Sequence, residues 1–311
     1  GTGLSVILRG LKNITDELTA IVTVADDGGG SGVLREDLGM LPPGDIRSCI
    51  LAMADEEGIM QELLQYRFQE GMLAGQNFGN LLIAALNGIS GSFEDAVTKT
   101  ADILRVRGRA LPVTGADVCL CAELEDGRII RGESAIPQAV IHSGVPIQRV
   151  CLEPAEPAAN PAALEAIRQA DLIVLGPGSL FTSIVPNLLV KDVARAVTEA
   201  RGHKIYICNI MTQPGETDDY SLSRHVATVD RYLGEGAIEY VVANSKVLSP
   251  LERQPYTRDG SAQVIPTEED RRFLRDRGVT LIANDFTDIR AGYIRHDAGR
   301  IAGILASFAG V

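Results

Sequence analysis

Several short runs in this sequence carry residue types suited to holding an anion. Gly176-Pro177-Gly178-Ser179 interrupts the apolar run "DLIVLG" and stands before a helix-like pattern. Glycines let an anion approach the backbone closely. A turn that opens a helix also aims unpaired amides, at the positive end of the helix dipole. Pro177 has no N–H, so a nest here would use the amides of Gly178, Ser179 and Leu180, with the hydroxyls of Ser179 and Thr182 as added donors. The other reading is a plain strand-to-helix turn. Gly1-Thr2-Gly3 also stands before a helical pattern, but without the full GxGxxG spacing it is a weak signal by itself. Asp26-Asp27, followed by Gly28-Gly29-Gly30, looks like an open polar cradle. Its carboxylates could hold Mg²⁺ through water or grip a sugar hydroxyl, or they could belong to a solvated turn. Asp45 and Arg47 behind Pro42-Pro43-Gly44, and Asn77 and Asn80 in "GQNFGNLL", fit caps and salt links as well as ligand contacts.

The surrounding elements place these runs. Residues 18–25, 171–176, 203–210 and 238–245 are apolar on both faces, the pattern of parallel strands covered by helices on both sides. Helical patterns run over 58–69, 77–86, 92–104, 162–170, 188–201 and 222–233. Asn160-Pro161 opens one of them as N-cap and first-turn proline. Ser92, three residues before Asp95, opens another, with Asp standing in for the capping-box Glu. The middle differs. Residues 111–136 alternate and carry Asp126-Gly127, a hairpin signal, and 146–154 read as a further strand. These patterns predict a single α/β domain over residues 1–311, a doubly wound, mostly parallel sheet with a β-rich excursion at about 111–154. In such sheets ligands bind beyond the carboxyl ends of the strands. The loops at 26–32, 176–179, 209–221 and 244–245 all fall at that edge. A strand normally precedes a loop such as Gly1-Thr2-Gly3, so a longer native N-terminus is expected.

Composition narrows the function. The net charge of −12 argues against a general nucleic-acid or anionic-membrane binder. No apolar run is long enough for a membrane span, and no signal peptide is recognisable. Cys49, Cys119, Cys121, Cys151 and Cys208 show no CxxC and read as inert thiols of a reducing cytoplasm. His142, His203, His225 and His296 lack zinc-site spacing.

The ordered set GTGLS, VADDGGGSG, LREDLG, PPGDIR, GQNFGNLLIAAL, GPGSLFTSIVPNLLV and NIMTQPGET resembles the YvcK/CofD-like family over nearly the whole chain. Within it, the chain is similar to the gluconeogenesis-factor branch rather than to the 2-phospho-L-lactate transferases of deazaflavin-coenzyme synthesis. The resemblance implies a Rossmann-like fold and binding of a UDP-sugar, UDP-N-acetylglucosamine or UDP-glucose. It implies a cytoplasmic regulator of growth and cell shape on gluconeogenic carbon, and a homo-oligomer, a dimer. The alternative it carries is a Mg²⁺-dependent transferase using a nucleotide-diphosphate donor. Carried across, the phosphate-binding residues are Gly1, Thr2, Gly3, Gly176, Gly178 and Ser179. Asp26, Asp27, Asn77 and Asn80 form a ligand or Mg²⁺ cradle, with Asp26 and Asp27 the metal ligands if Mg²⁺ is used. Tyr256, Arg295 and His296 are candidates for sugar or phosphate contact. Nothing resembles a catalytic nucleophile pair, and no catalytic residue is assigned. The departure is at the start, where the family's preceding strand and further glycines are missing.

Overall fold

Strands Leu172–Leu175, His203–Ile207, Tyr240–Asn244 and Thr280–Asn284 lie side by side in that order and all run parallel. Their side chains alternate between two buried faces. Ile205, Ile207 and Val242 face helices Thr2–Leu11 and Ala298–Ala309, where Ile7, Ile301 and Leu305 meet them. Ile173, Tyr206 and Val241 belong to the larger core on the other face, with Ile167, Val197, Val229 and Leu274 of helices Pro161–Gln169, Val193–Glu199, Leu222–Leu233 and Glu268–Asp276. The result is a Rossmann-like α/β fold. It is seen in a computed structural model that describes residues 2–55, 58–290 and 292–309. No helix among the described residues is long and apolar enough to cross a membrane.

A second parallel pair, Thr19–Val22 with Arg109–Pro112, stands beside the main sheet. Between the strands Thr19–Val22 and Leu172–Leu175 lies a cavity of about 810 Å³, walled by both strands and by Leu4, Ile7 and Leu8 of the first helix. Residues Cys119–Leu124, Ile129–Arg131 and Ile147–Glu153 form a three-stranded antiparallel sheet. Its hairpin turns at Asp126-Gly127, where Gly127 has φ +85° and its amide bonds the Leu124 carbonyl.

Local signals explain several helix starts. The Asn160 side chain accepts the Ala162 amide at 2.9 Å with Pro161 in the first turn, and Ser92 accepts the Asp95 amide at 3.1 Å. Other expectations are corrected. The helix expected over 188–201 begins only at Val193, because Asp192 takes the left-handed conformation, φ +66°. The helix expected over 58–69 ends at Gln65, where Tyr66 turns extended. The glycines after Asp27 are no open cradle but the first turns of helix Gly29–Leu38. Within that helix Gly32 must be small for packing, because a Cβ there would run into the Asp27 carbonyl oxygen.

Candidate functional site

Beyond the carboxyl ends of Thr19–Val22, Leu172–Leu175 and His203–Ile207 opens a cleft of about 550 Å³, within the usual range for a small-molecule site. Its wall is built where two glycine turns meet. A Cβ on Gly3 would lie 2.6 Å from the Pro177 carbonyl oxygen and 3.2 Å from the Gly178 nitrogen. Only glycine allows the first helix to begin that close to the second turn. Gly176 has φ +81°, and a Cβ there would meet the Ile207 carbonyl oxygen at 2.7 Å. Gly178 is different: its φ is ordinary, and an added Cβ would find only a normal contact with Ser183 at 3.5 Å. Gly1 lies outside the described residues, as does the side chain of Thr2.

The 209–217 loop clamps this turn from behind. Asn209 accepts the Gly178 amide at 3.2 Å and donates to the Gly178 carbonyl at 2.7 Å. Gln213 Nε2 donates to Ser179 Oγ at 2.6 Å, and Ser179 Oγ donates to Glu216 Oε1 at 3.1 Å. Thr182 Oγ1 also points at Glu216 Oε1, at 3.5 Å, and the amides of Phe181 and Thr182 donate to the same carboxyl group. The donors at the start of the 180–188 segment are therefore met by the protein's own glutamate. Gly178 is held by Asn209. The amides of Ser179 and Leu180 carry no hydrogen bond among the described residues; Ser179 lines the cleft, while Leu180 is buried and does not line it.

The opposite side of the cleft is acidic. Asp26 lines it, with Oδ1 accepting the Gly28 amide at 2.9 Å, and burial followed by Asp45 pushes its carboxyl upward in pKa. Asp27 turns away: its Oδ1 accepts the Ser134 amide at 2.9 Å and its Oδ2 lies against Gly132. The next residue before that amide, Glu133, lines the cleft and hydrogen-bonds Thr182. Burial, then Asp26, raises Glu133 to about 7, and burial raises Glu216 to about 7. Among the described residues no group of three or more His, Cys, Asp or Glu could hold a metal. Mg²⁺ bound together with a phosphate needs only one or two carboxylates, and Asp26 is the one of the predicted pair that faces the cleft.

Tyr256, Arg295 and His296 also line the cleft, brought there by helix Pro250–Arg258 and strand Tyr293–His296. The Tyr256 hydroxyl accepts the Ile294 amide at 2.7 Å and donates to its carbonyl at 3.3 Å, which fixes the helix against the strand. His296 Nε2 donates to the Cys208 carbonyl at 3.1 Å. Burial lowers His296 to about 4, so the ring is neutral and Arg295 is the cation of the described lining. Asn77 and Asn80 do not reach the cleft wall. Asn77 caps helix Phe78–Ser90 and donates to the Gln65 carbonyl at 3.0 Å, and Asn80 Oδ1 accepts Arg47 Nη1 at 2.8 Å.

Residues 1–287 match the family described as 2-phospho-L-lactate transferase CofD. The chain belongs to the CofD family. It is 44% identical to the gluconeogenesis factor of Bacillus subtilis over 98% of this chain and 94% of that protein. It is 42% identical to the gluconeogenesis factor of Listeria monocytogenes over 98% of this chain and 92% of that protein. The crystal structure of a Bacillus halodurans protein superposes with a TM-score of 0.93 at 41% identity, covering 98% of this chain and 96% of that one.

The CofD-family cleft includes residues that sequence reasoning did not single out. Asn209, Gln213 and Glu216 lay within the 209–221 loop, which was placed at the right edge without a role for any side chain. An Asn and a Gln four residues apart on a loop have no spacing rule to reveal them. Glu133 had no signal at all, because it follows a strand of the β-rich region that reads as remote from the edge.

Proposed function

We propose that the cleft binds a nucleotide sugar, UDP-N-acetylglucosamine or UDP-glucose, and that the protein acts as a cytoplasmic regulator of growth and cell shape on gluconeogenic carbon. The observation that carries this reading is the clamped 176–179 turn. Asn209 holds the Gly178 backbone and Gln213 holds the Ser179 hydroxyl, and the amide of Ser179, which lines the cleft, has no internal acceptor among the described residues. Preset amides at a strand's carboxyl end are a site for phosphate oxygens. Arg295 in the same cleft supplies the one positive side chain, and the volume suits a diphosphate with its attached groups. The likeness to two gluconeogenesis factors supports the cellular role. A calorimetric screen of UDP-, GDP- and NAD-type compounds tests the reading. Saturable binding of UDP-sugars is expected; binding of NAD without UDP-sugars overturns it.

A second reading, transfer of a phosphate-bearing group from a nucleotide donor, is favoured by Asp26 and Glu133 in one cleft and by the family match. Asp26 would hold Mg²⁺, which when bound would stabilise charge on the leaving diphosphate. Glu133, titrating at about 7 through burial, suits proton exchange with an acceptor hydroxyl near neutral pH. Asp26→Asn should then abolish donor cleavage while much of the nucleotide binding remains. No cleavage with a broad acceptor panel counts against this class.

A further inference from the structure

Glu216 has no role in the reading above, yet its position is unusual. The residue is 8% exposed. One carboxyl oxygen gathers the Ser179 and Thr182 hydroxyls, while the other, Oε2, is buried with no hydrogen-bond partner. Ser179 and Thr182 both line the cleft, so the carboxyl group stands one hydroxyl behind the wall against which the phosphates would lie. Among the described residues no cation pairs with it: the groups facing it are the Ser179 and Thr182 side chains and the amides of Phe181 and Thr182, with Glu133 beyond Thr182. A carboxylate so placed turns hydroxyl protons away from the ligand and adds a negative field at the turn.

Resting on the nucleoside-diphosphate reading, we propose that Glu216 is a specificity-determining residue that selects a diphosphate capped by a sugar over one with a free terminal phosphate. The chemistry is charge per phosphorus. In a capped diphosphate each phosphate is a diester-like group with one negative charge. A terminal phosphate gains a second charge above about pH 6. Repulsion between that added charge and a buried carboxylate one hydroxyl behind the wall is larger than between the same charges in water. The Ser179 and Thr182 hydroxyls lie between them, and Ser179 already donates its proton to Glu216, so it does not serve the terminal phosphate as a donor. Glu216 is raised to about 7 by burial, so its charge and the terminal phosphate's second charge both grow across the neutral range and act in the same direction.

The test is calorimetric titration of UDP-N-acetylglucosamine and of UDP, without divalent cations, at about pH 6 and about pH 8, on the wild-type chain and on Glu216→Gln. The wild type should prefer the capped ligand, with a preference about tenfold larger at the higher pH. In Glu216→Gln, whose side-chain carbonyl still accepts from Ser179, that widening should shrink to about threefold or less. A residue that merely caps the segment would weaken both ligands together and leave their ratio unmoved, and an unchanged ratio in a cooperatively folded variant overturns the proposal. If the variant does not fold, the wild type decides: a preference that does not widen with pH overturns it. Failure of both UDP and the UDP-sugar to bind is a different result, which removes the nucleoside-diphosphate reading itself and the proposal with it.

Discussion

Glycine is needed at some positions of the wall and not at others, and the difference can be measured. Gly3 and Gly176 stand where a Cβ would press on backbone oxygen at 2.6 and 2.7 Å, and Gly176 also has φ +81°. Gly176→Ala is expected to cost about 1–3 kcal/mol in denaturant unfolding. Gly178 carries neither constraint, so Gly178→Ala should unfold within about 0.5 kcal/mol of the wild type. The same logic separates the carboxylates. Glu133 and Glu216 titrate at about 7 in the folded chain, above their unfolded values. The native state then holds more protons than the unfolded state from the ordinary carboxylate range up to about 7, so their contribution to stability falls as pH rises through that window. His296, lowered to about 4, acts oppositely: its contribution falls as pH drops from the ordinary histidine value toward 4. Melting temperature followed from about pH 5 to about pH 8 should therefore decline less in Glu133→Gln than in the wild type. An equal decline in both would show that Glu133 is not the buried acid described here.

Among the elements, the 209–217 loop carries the site, since its side chains set the turn that faces the ligand. Asn209→Ala leaves the Gly178 N–H and carbonyl without their partners. It should cost about 1–3 kcal/mol in stability and weaken UDP-sugar binding as the turn loosens. A variant that binds with wild-type affinity would show that the clamp does not set the site. The sequence allowed some of these elements to be placed and hid others. Apolar runs marked the strands at 172–175, 203–207 and 240–244, and the caps Ser92 and Asn160 marked helix starts, because both signals are local. The strand Thr280–Asn284 and the pair Thr287–Arg290 with Tyr293–His296 went unseen. They carry polar residues such as Asn284, Asp288 and Arg295; Thr280–Asn284 pairs with the distant strand Tyr240–Asn244, and the other two are four-residue strands that pair with each other. Gly28, Gly29 and Gly30 suggested an open loop, whereas Gly29 opens a helix in which Gly32 packs against the Asp27 carbonyl, a contact between backbones that no local pattern reveals.

At the scale of the whole molecule, the cavity of about 810 Å³ separates two parallel sheets that point the same glycine-bearing edge at one cleft. The facing strands Thr19–Val22 and Leu172–Leu175 each have one side without a strand partner among the described residues. Amide hydrogen exchange with and without UDP-N-acetylglucosamine reads both binding and its place in the cleft. Slowed exchange is expected at Ser179 and across the 209–217 loop on addition of the nucleotide sugar. Saturable binding that leaves those amides unchanged and protects another surface would contradict it.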